Sequence, residues 1–368
     1  MSFLNYSPYE PNSQESPQDP IPEYFNEWDE SLTQNKTPRF FEAEEFSEII
    51  DIYLNNNEVK KAKQTIQYAL KLHPNDEDLI YDILLLLNEF ELWNDLLTLS
   101  EQYEGFSEVW ADGHKLTALL HLGMEEDAFL FFRKAKKKYE GDKETLSILY
   151  QAMSEALHEV DLFDASVDVI SEAINNIGNE PDFYWLKLHG YKSMDLNEKA
   201  MEVAQRIEKI APLDSVSWHN LGNFYLEIRE TEKAIEAFEF AESLGYDKPT
   251  NYLSLISAYE KNSNPIKALE KAKEYLLIYP DNYLINILAS NLCSQMEMWE
   301  EALEYINEAL LVVPDMDSLY LYKSSFFLNL GEKKKAILTL KEGILETDDP
   351  DGDLKKQLQK LQDKFPEE

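Results

Sequence analysis

Ala200, Ala234, Ala268, Ala302 and Ala336 fall 34 residues apart, a step that no single-core fold imposes on its chain. Pro212, Pro280 and Pro314 lie on a second lattice of the same period, with Tyr246 in the slot between the first two. A recurrence of about 20–50 residues marks stacked repeats, in which each unit packs only on its neighbours. Such stacking also suits a chain of 368 residues, which is longer than one hydrophobic core normally serves. Only 11 glycines and 15 prolines are present, and Pro8, Pro11, Pro17, Pro20, Pro22 and Pro38 are spent before the repeats begin. That scarcity favours helices joined by tight turns over a many-stranded sheet.

From Ser215 the chain runs Trp218-x2-Leu221-Gly222-x2-Tyr225, then Ala234-x3-Phe238-x2-Ala241. The pattern resembles the tetratricopeptide repeat, with Tyr246 standing where the closing proline would be. Later units keep register through Tyr259, Ala268 and Pro280, then Ala302, Ala309 and Pro314, then Tyr320, Phe327 and Ala336. Upstream the ladder passes through Tyr184, Tyr191, Ala200 and Pro212, and a first unit carries Phe46, Tyr53, Ala62, Ala69 and Pro74. Between these the step loosens: Leu96 fills one slot, and Ala165 follows Ala128 by 37 residues and precedes Ala200 by 35. The resemblance implies an all-α right-handed α-solenoid, a superhelix of about nine helical hairpins over residues 43–349. Its units start near 43, 77, 109, 146, 181, 215, 249, 283 and 317. In each hairpin the alanine allows close approach of the two helices, and the proline stops the second helix because it cannot extend the hydrogen-bond ladder. Residues 350–368, with Leu354, Leu358 and Leu361 at helical spacing, read as a capping helix led in by Asp348, Asp349 and Asp351.

Residues 1–42 are acidic and proline-rich and are expected to be a disordered tail. The tail does hold Tyr24, Phe25 and Trp28 among acidic residues, a cluster that a groove could order. Over the whole chain, 71 acidic against 34 basic residues give a formal charge of −37. That field repels nucleic-acid phosphates and anionic membranes, so neither is an expected partner. No apolar stretch reaches the ~18 residues a bilayer requires; the densest, Ile80 to Leu87, is broken by Asp82. With one cysteine, Cys293, and no leader-like start, the expected compartment is cytoplasmic. The one basic run, Arg133, Lys134, Lys136, Lys137 and Lys138, reads as a solvated helix face.

No phosphate loop, dinucleotide fingerprint, nucleophile elbow or His-Glu-x2-His motif is present, so no enzyme, cofactor or metal is expected. The Asp349 to Asp353 run fails as a calcium loop because Thr347 and Leu358 occupy positions that need carboxylates. His114, His121, His158, His189 and His219 fall in first helices of successive units. In the family this chain resembles, that helix lines the concave groove, and the resemblance makes His189 and His219 neighbours whose charge would change near neutral pH. Helical phase puts Tyr150, Ser154, Trp185, His189, His219, Asn223, Leu253, Ser257, Asn291 and Tyr322 on that groove, Trp185 being equally readable as core. Rings and amides on one inner surface suit a peptide. Asn223 and Asn291 match the asparagines with which chaperone-binding members of the family clamp a C-terminal carboxylate. The cationic slots, however, hold Trp185, His219, Thr250, Ser254 and Leu284, so a polyacidic tail is not the expected ligand. The expectation is a noncatalytic scaffold for a protein or peptide. A self-assembling structural protein and a metal- or pH-dependent histidine site stand as alternatives.

Overall fold

Nine hairpin turns each carry a residue in the left-handed backbone region: Asn57, Glu91, Gly123, Asp161, Asp195, Arg229, Ser263, Glu297 and Gly331, with φ from 54° to 78°. Each sits between two antiparallel helices and reverses the chain there. The computed structural model describes residues 22–34, 36–103, 109–347 and 352–365, among which are twenty α-helices and no strand. They fall into two compact units that divide between Ile210 and Ala211.

The first unit begins with α1 (Glu23–Gln34), followed by the pairs α2 (Ala43–Asn55) and α3 (Val59–Leu72), α4 (Glu77–Glu89) and α5 (Trp93–Gln102). It continues with α6 (Val109–His121) and α7 (Glu125–Lys138), α8 (Lys143–Glu159) and α9 (Phe163–Asn176), and α10 (Pro181–Ser193) and α11 (Asn197–Ile210). The second unit holds α12 (Ser215–Glu227) and α13 (Thr231–Ser243), α14 (Pro249–Lys261) and α15 (Pro265–Ile278), and α16 (Tyr283–Gln295) and α17 (Trp299–Val312). It ends with α18 (Asp317–Asn329) and α19 (Lys333–Glu346), then α20 (Asp353–Lys364).

Local chemistry starts and stops these helices. The side chains of Asp76, Asp142, Asp214 and Asn282 accept hydrogen bonds from backbone N–H groups one turn into α4, α8, α12 and α16. Pro181, Pro249 and Pro265 open α10, α14 and α15, where the missing N–H costs nothing. Pro212, Pro280 and Pro314 lie two residues past the ends of α11, α15 and α17.

Packing follows the lattice. Ala62, Ala128, Ala200, Ala234, Ala268, Ala302 and Ala336 are all fully buried. Gly222 on α12 approaches Phe238 on α13 so closely that a Cβ there would stand 2.5 Å from the ring. In the α16/α17 and α18/α19 hairpins the serine hydroxyls of Ser290 and Ser324 occupy that position and donate to the carbonyls of Ala302 and Ala336 at 2.8 and 3.1 Å. At the end of the second unit Leu354 and Leu361 of α20 pack with Tyr320, Ile337 and Leu340, covering the last hairpin.

Two expectations need correction. Residues 23–34 and 36–42 are not a disordered tail: α1 docks on the first hairpin, while residues 1–21 and 35 lie outside the described residues. Trp28 is 2% exposed, its Nε1–H donates to Thr65 Oγ1 at 2.8 Å, and its ring meets those of Phe41, Phe46 and Tyr68. Asp29 accepts from Tyr53 and from Lys61, and Arg39 bridges Glu27 and Glu45. Glu27 and Asp29 are therefore paired with cations, while Glu23 and Glu30 remain exposed.

The second correction concerns register. The buried lattice residue of the fourth hairpin is Ser166, not the partly exposed Ala165; Ser166 precedes Ala200 by 34 residues. Its turn residue Asp161 likewise precedes Asp195 by 34, while the unit's first helix, α8, starts at Lys143, before the expected 146. The lost register traces to a longer first helix, α8, of 17 residues, against 13 for α6 and α10. There α6 packs closely on α8, and a Cβ on Gly113 would lie 3.2 Å from that of Ala152.

Candidate first-helix binding face

A shift of one residue turns a helix by about 100°, and α8 shows the effect. Tyr150 is 2% exposed; its hydroxyl donates to Glu172 at 2.9 Å, accepts from Asn176, and its ring packs edge-on against Phe132. Ser154 is fully buried and hydrogen-bonded to Ser166 at 2.7 Å. Both are interhelix contacts and present nothing to a partner. Trp185 is also core, 6% exposed beside His189. What reaches the first-helix face of α8 instead is Glu155, one residue beyond Ser154. Burial, reinforced by Glu159 and Asp182, pushes its carboxyl up to about 7.

The histidines are held in separate settings. Burial lowers His114 to about 4 and pushes His158 below its ordinary value. His121 stacks on Trp93 at 3.9 Å and places Nε2 3.0 Å from the Glu159 carboxylate. His189 belongs to the first unit and His219 to the second. Among the described residues no group of three or more His, Cys, Asp or Glu side chains converges as metal ligands. Cys293 is buried, and burial pushes its thiol up to about 11.

His219 is the most tightly built of the predicted site residues. It is 6% exposed, stacked on Tyr246 at 4.6 Å, the ring that replaces the closing proline. His219 Nδ1 bonds Asn251 Oδ1 at 2.9 Å, which requires the proton on Nδ1 and leaves Nε2 to accept from Asn223 Nδ2 at 3.2 Å. Burial favours this neutral form and pushes its pKa down. Asn251 donates on to the Phe238 carbonyl, and Ser254 donates to Asn223 Oδ1. The network fastens α12 to α14 and fixes the rotamer of Asn223.

Asn223, Ser257 and Asn291 occupy one register, 34 residues apart, on α12, α14 and α16, and all three are partly exposed. Among the described residues no hydrogen bond occupies the side chains of Ser257 or Asn291. Leu253 is partly exposed on α14, one turn before Ser257. Tyr322 is 42% exposed but stands off this row, whose next member on α18 is Ser325. The second unit thus carries a short ladder of amides and hydroxyls along its first helices, while the first unit contributes an acidic spot at Glu155. Of the basic run, Lys136 and Lys138 pair with Glu172 and the buried Asp112, and Arg133, Lys134 and Lys137 remain exposed.

No helix among the described residues is long and apolar enough to cross a membrane. A family model described as a tetratricopeptide repeat matches residues 216–244. Among solved structures, the C-terminal part of a repeat-containing protein of this kind from Cytophaga hutchinsonii is similar at a TM-score of 0.50 and 14% identity, covering 64% of this chain and 95% of that one. A tetratricopeptide repeat protein from Parabacteroides merdae gives 0.41 at 14% identity, covering 73% and 98%. YrrB, described as having an unusual peptide-binding site, gives 0.42 at 16% identity, covering 53% and 99%. Among curated proteins none matches the chain.

Proposed function

We propose that this chain, which carries a tetratricopeptide repeat at residues 216–244 and shares the fold of such repeat proteins, is a noncatalytic interaction scaffold that binds a protein or peptide along its concave, first-helix surface. The observation that carries this reading is the row Asn223, Ser257 and Asn291, held at one register on three successive first helices. An extended peptide offers alternating N–H and C=O groups, and amides and hydroxyls placed at a regular step can meet both. The His219 network supports it by holding Asn223 in one orientation, so that little side-chain freedom is lost on binding. Leu253 adds apolar area beside the row. The net charge of −37, and the acidic spot formed by Glu155, Glu159 and Asp182, favour a neutral or basic segment over a polyacidic one.

Recovery of partners from native lysate by the full chain, compared with Asn223→Ala/Asn291→Ala, tests the reading. Lower recovery by the double variant at unchanged helix content is the expected outcome. Equal recovery would move the binding surface elsewhere.

A further inference from the structure

The last turns of α15, α17 and α19 each end in a leucine that touches almost nothing. Leu277, Leu311 and Leu345 are 85%, 77% and 81% exposed, and they stand 34 residues apart. A single exposed leucine needs no explanation, but three at one repeat position on consecutive second helices form a line. The line has a definite beginning: the equivalent residues on α11 and α13 are Lys209 and Ser243. Ile278 and Val312, 53% and 43% exposed, widen it.

Charge on either side of the line has one predominant sign. Glu274, Glu308 and Glu342 precede the leucines by three residues, on the same helix face, and Asp281 and Asp315 follow by four; all five are exposed. Of the nearby cations, Lys273 is engaged by Glu301 at 3.2 Å and Lys341 is exposed. Lys271 holds Glu274 at 2.8 Å, so Glu308 and Glu342 are the carboxylates most available to a ligand.

We propose that this ridge of the second unit is a docking surface for an amphipathic helix of a partner protein, with aliphatic side chains on one face and lysine or arginine at its flanks. The carboxylates select that occupant. A second copy of the chain would bring the same acids against themselves, and an anionic lipid surface would be repelled. The ridge lies on second helices, apart from the Asn223 row, so the two surfaces can be engaged independently.

The test is fluorescence anisotropy of a labelled helical peptide of leucine and lysine titrated with the full chain. An alanine–lysine peptide of equal charge separates apolar docking from general attraction to an acidic protein. The proposal predicts that the wild type prefers the leucine peptide and that Leu277→Ser/Leu311→Ser/Leu345→Ser weakens its binding by about tenfold or more, given the area three leucines bury. Residues this exposed are dispensable to the hairpins, so circular dichroism should be unchanged. Glu308→Lys/Glu342→Lys, which leaves the leucines in place, should also weaken the lysine-bearing peptide, while Asn223→Ala/Asn291→Ala should leave its binding intact. Equal affinity of wild type and the leucine variant would overturn the proposal. So would light scattering that shows a wild-type dimer split by the leucine substitutions, or loss of phosphatidylserine-vesicle binding in that variant.

Discussion

The carboxyl of Glu155 keeps its proton up to about pH 7 because burial, with Glu159 and Asp182 close by, penalises its ionised form. The folded chain therefore binds this proton more tightly than the unfolded chain, whose glutamates titrate near 4.3. The stability it contributes is present below the unfolded value and is lost as pH rises from there through about 7. Glu155→Gln should remove that loss, making the variant more stable than wild type at pH 8 by on the order of 2–3 kcal/mol and nearly equal to it at pH 4. Urea unfolding at both pH values measures the difference; a constant offset between the two proteins would contradict the assignment. At this scale the partial exposure of Asn223 and Asn291 at one register is legible in the sequence, because the repeat sets the phase of their helices. The burial of Tyr150 and Ser154 is not, because a one-residue change of phase along α8 exchanges core for surface.

At the scale of elements, α1 owes its place to a few large side chains. Trp28 supplies the central contact and a hydrogen bond to Thr65, and Phe25 adds ring contact with Tyr53. Trp28→Ala should weaken docking by roughly 3–5 kcal/mol, the usual cost of removing a buried tryptophan. Limited proteolysis would then cut the variant within residues 23–40 while wild type resists there and both leave the later hairpins whole. Equal cleavage of the two proteins would mean that α1 is not held by this contact. Prolines and acidity pointed to a tail, yet Phe25, Trp28 and Leu32 already lay at helical spacing, and that signal identifies the docked face. The alanine lattice showed where second helices meet first ones, since only a small residue tolerates that approach. The close contact of α6 with α8 left no such mark: Gly113 and Ala152 are small residues among many, and their meeting is a tertiary event.

For the whole molecule, excess acid has different consequences on different surfaces. Ion pairs absorb part of it, Lys271 with Glu242 between successive second helices and Lys138 with Asp112 within the α6/α7 hairpin. On the first-helix face and on the leucine ridge it remains, and on the proposed reading it would bias both toward neutral or basic partners. Fold class was the most legible level, because a repeat states its rule several times over. Hydrogen–deuterium exchange of the full chain, alone and with a partner recovered on it, tests the central claim most directly. The scaffold account predicts slowed exchange concentrated in α12, α14 and α16. Protection limited to the first unit, or to the second helices alone, would contradict it.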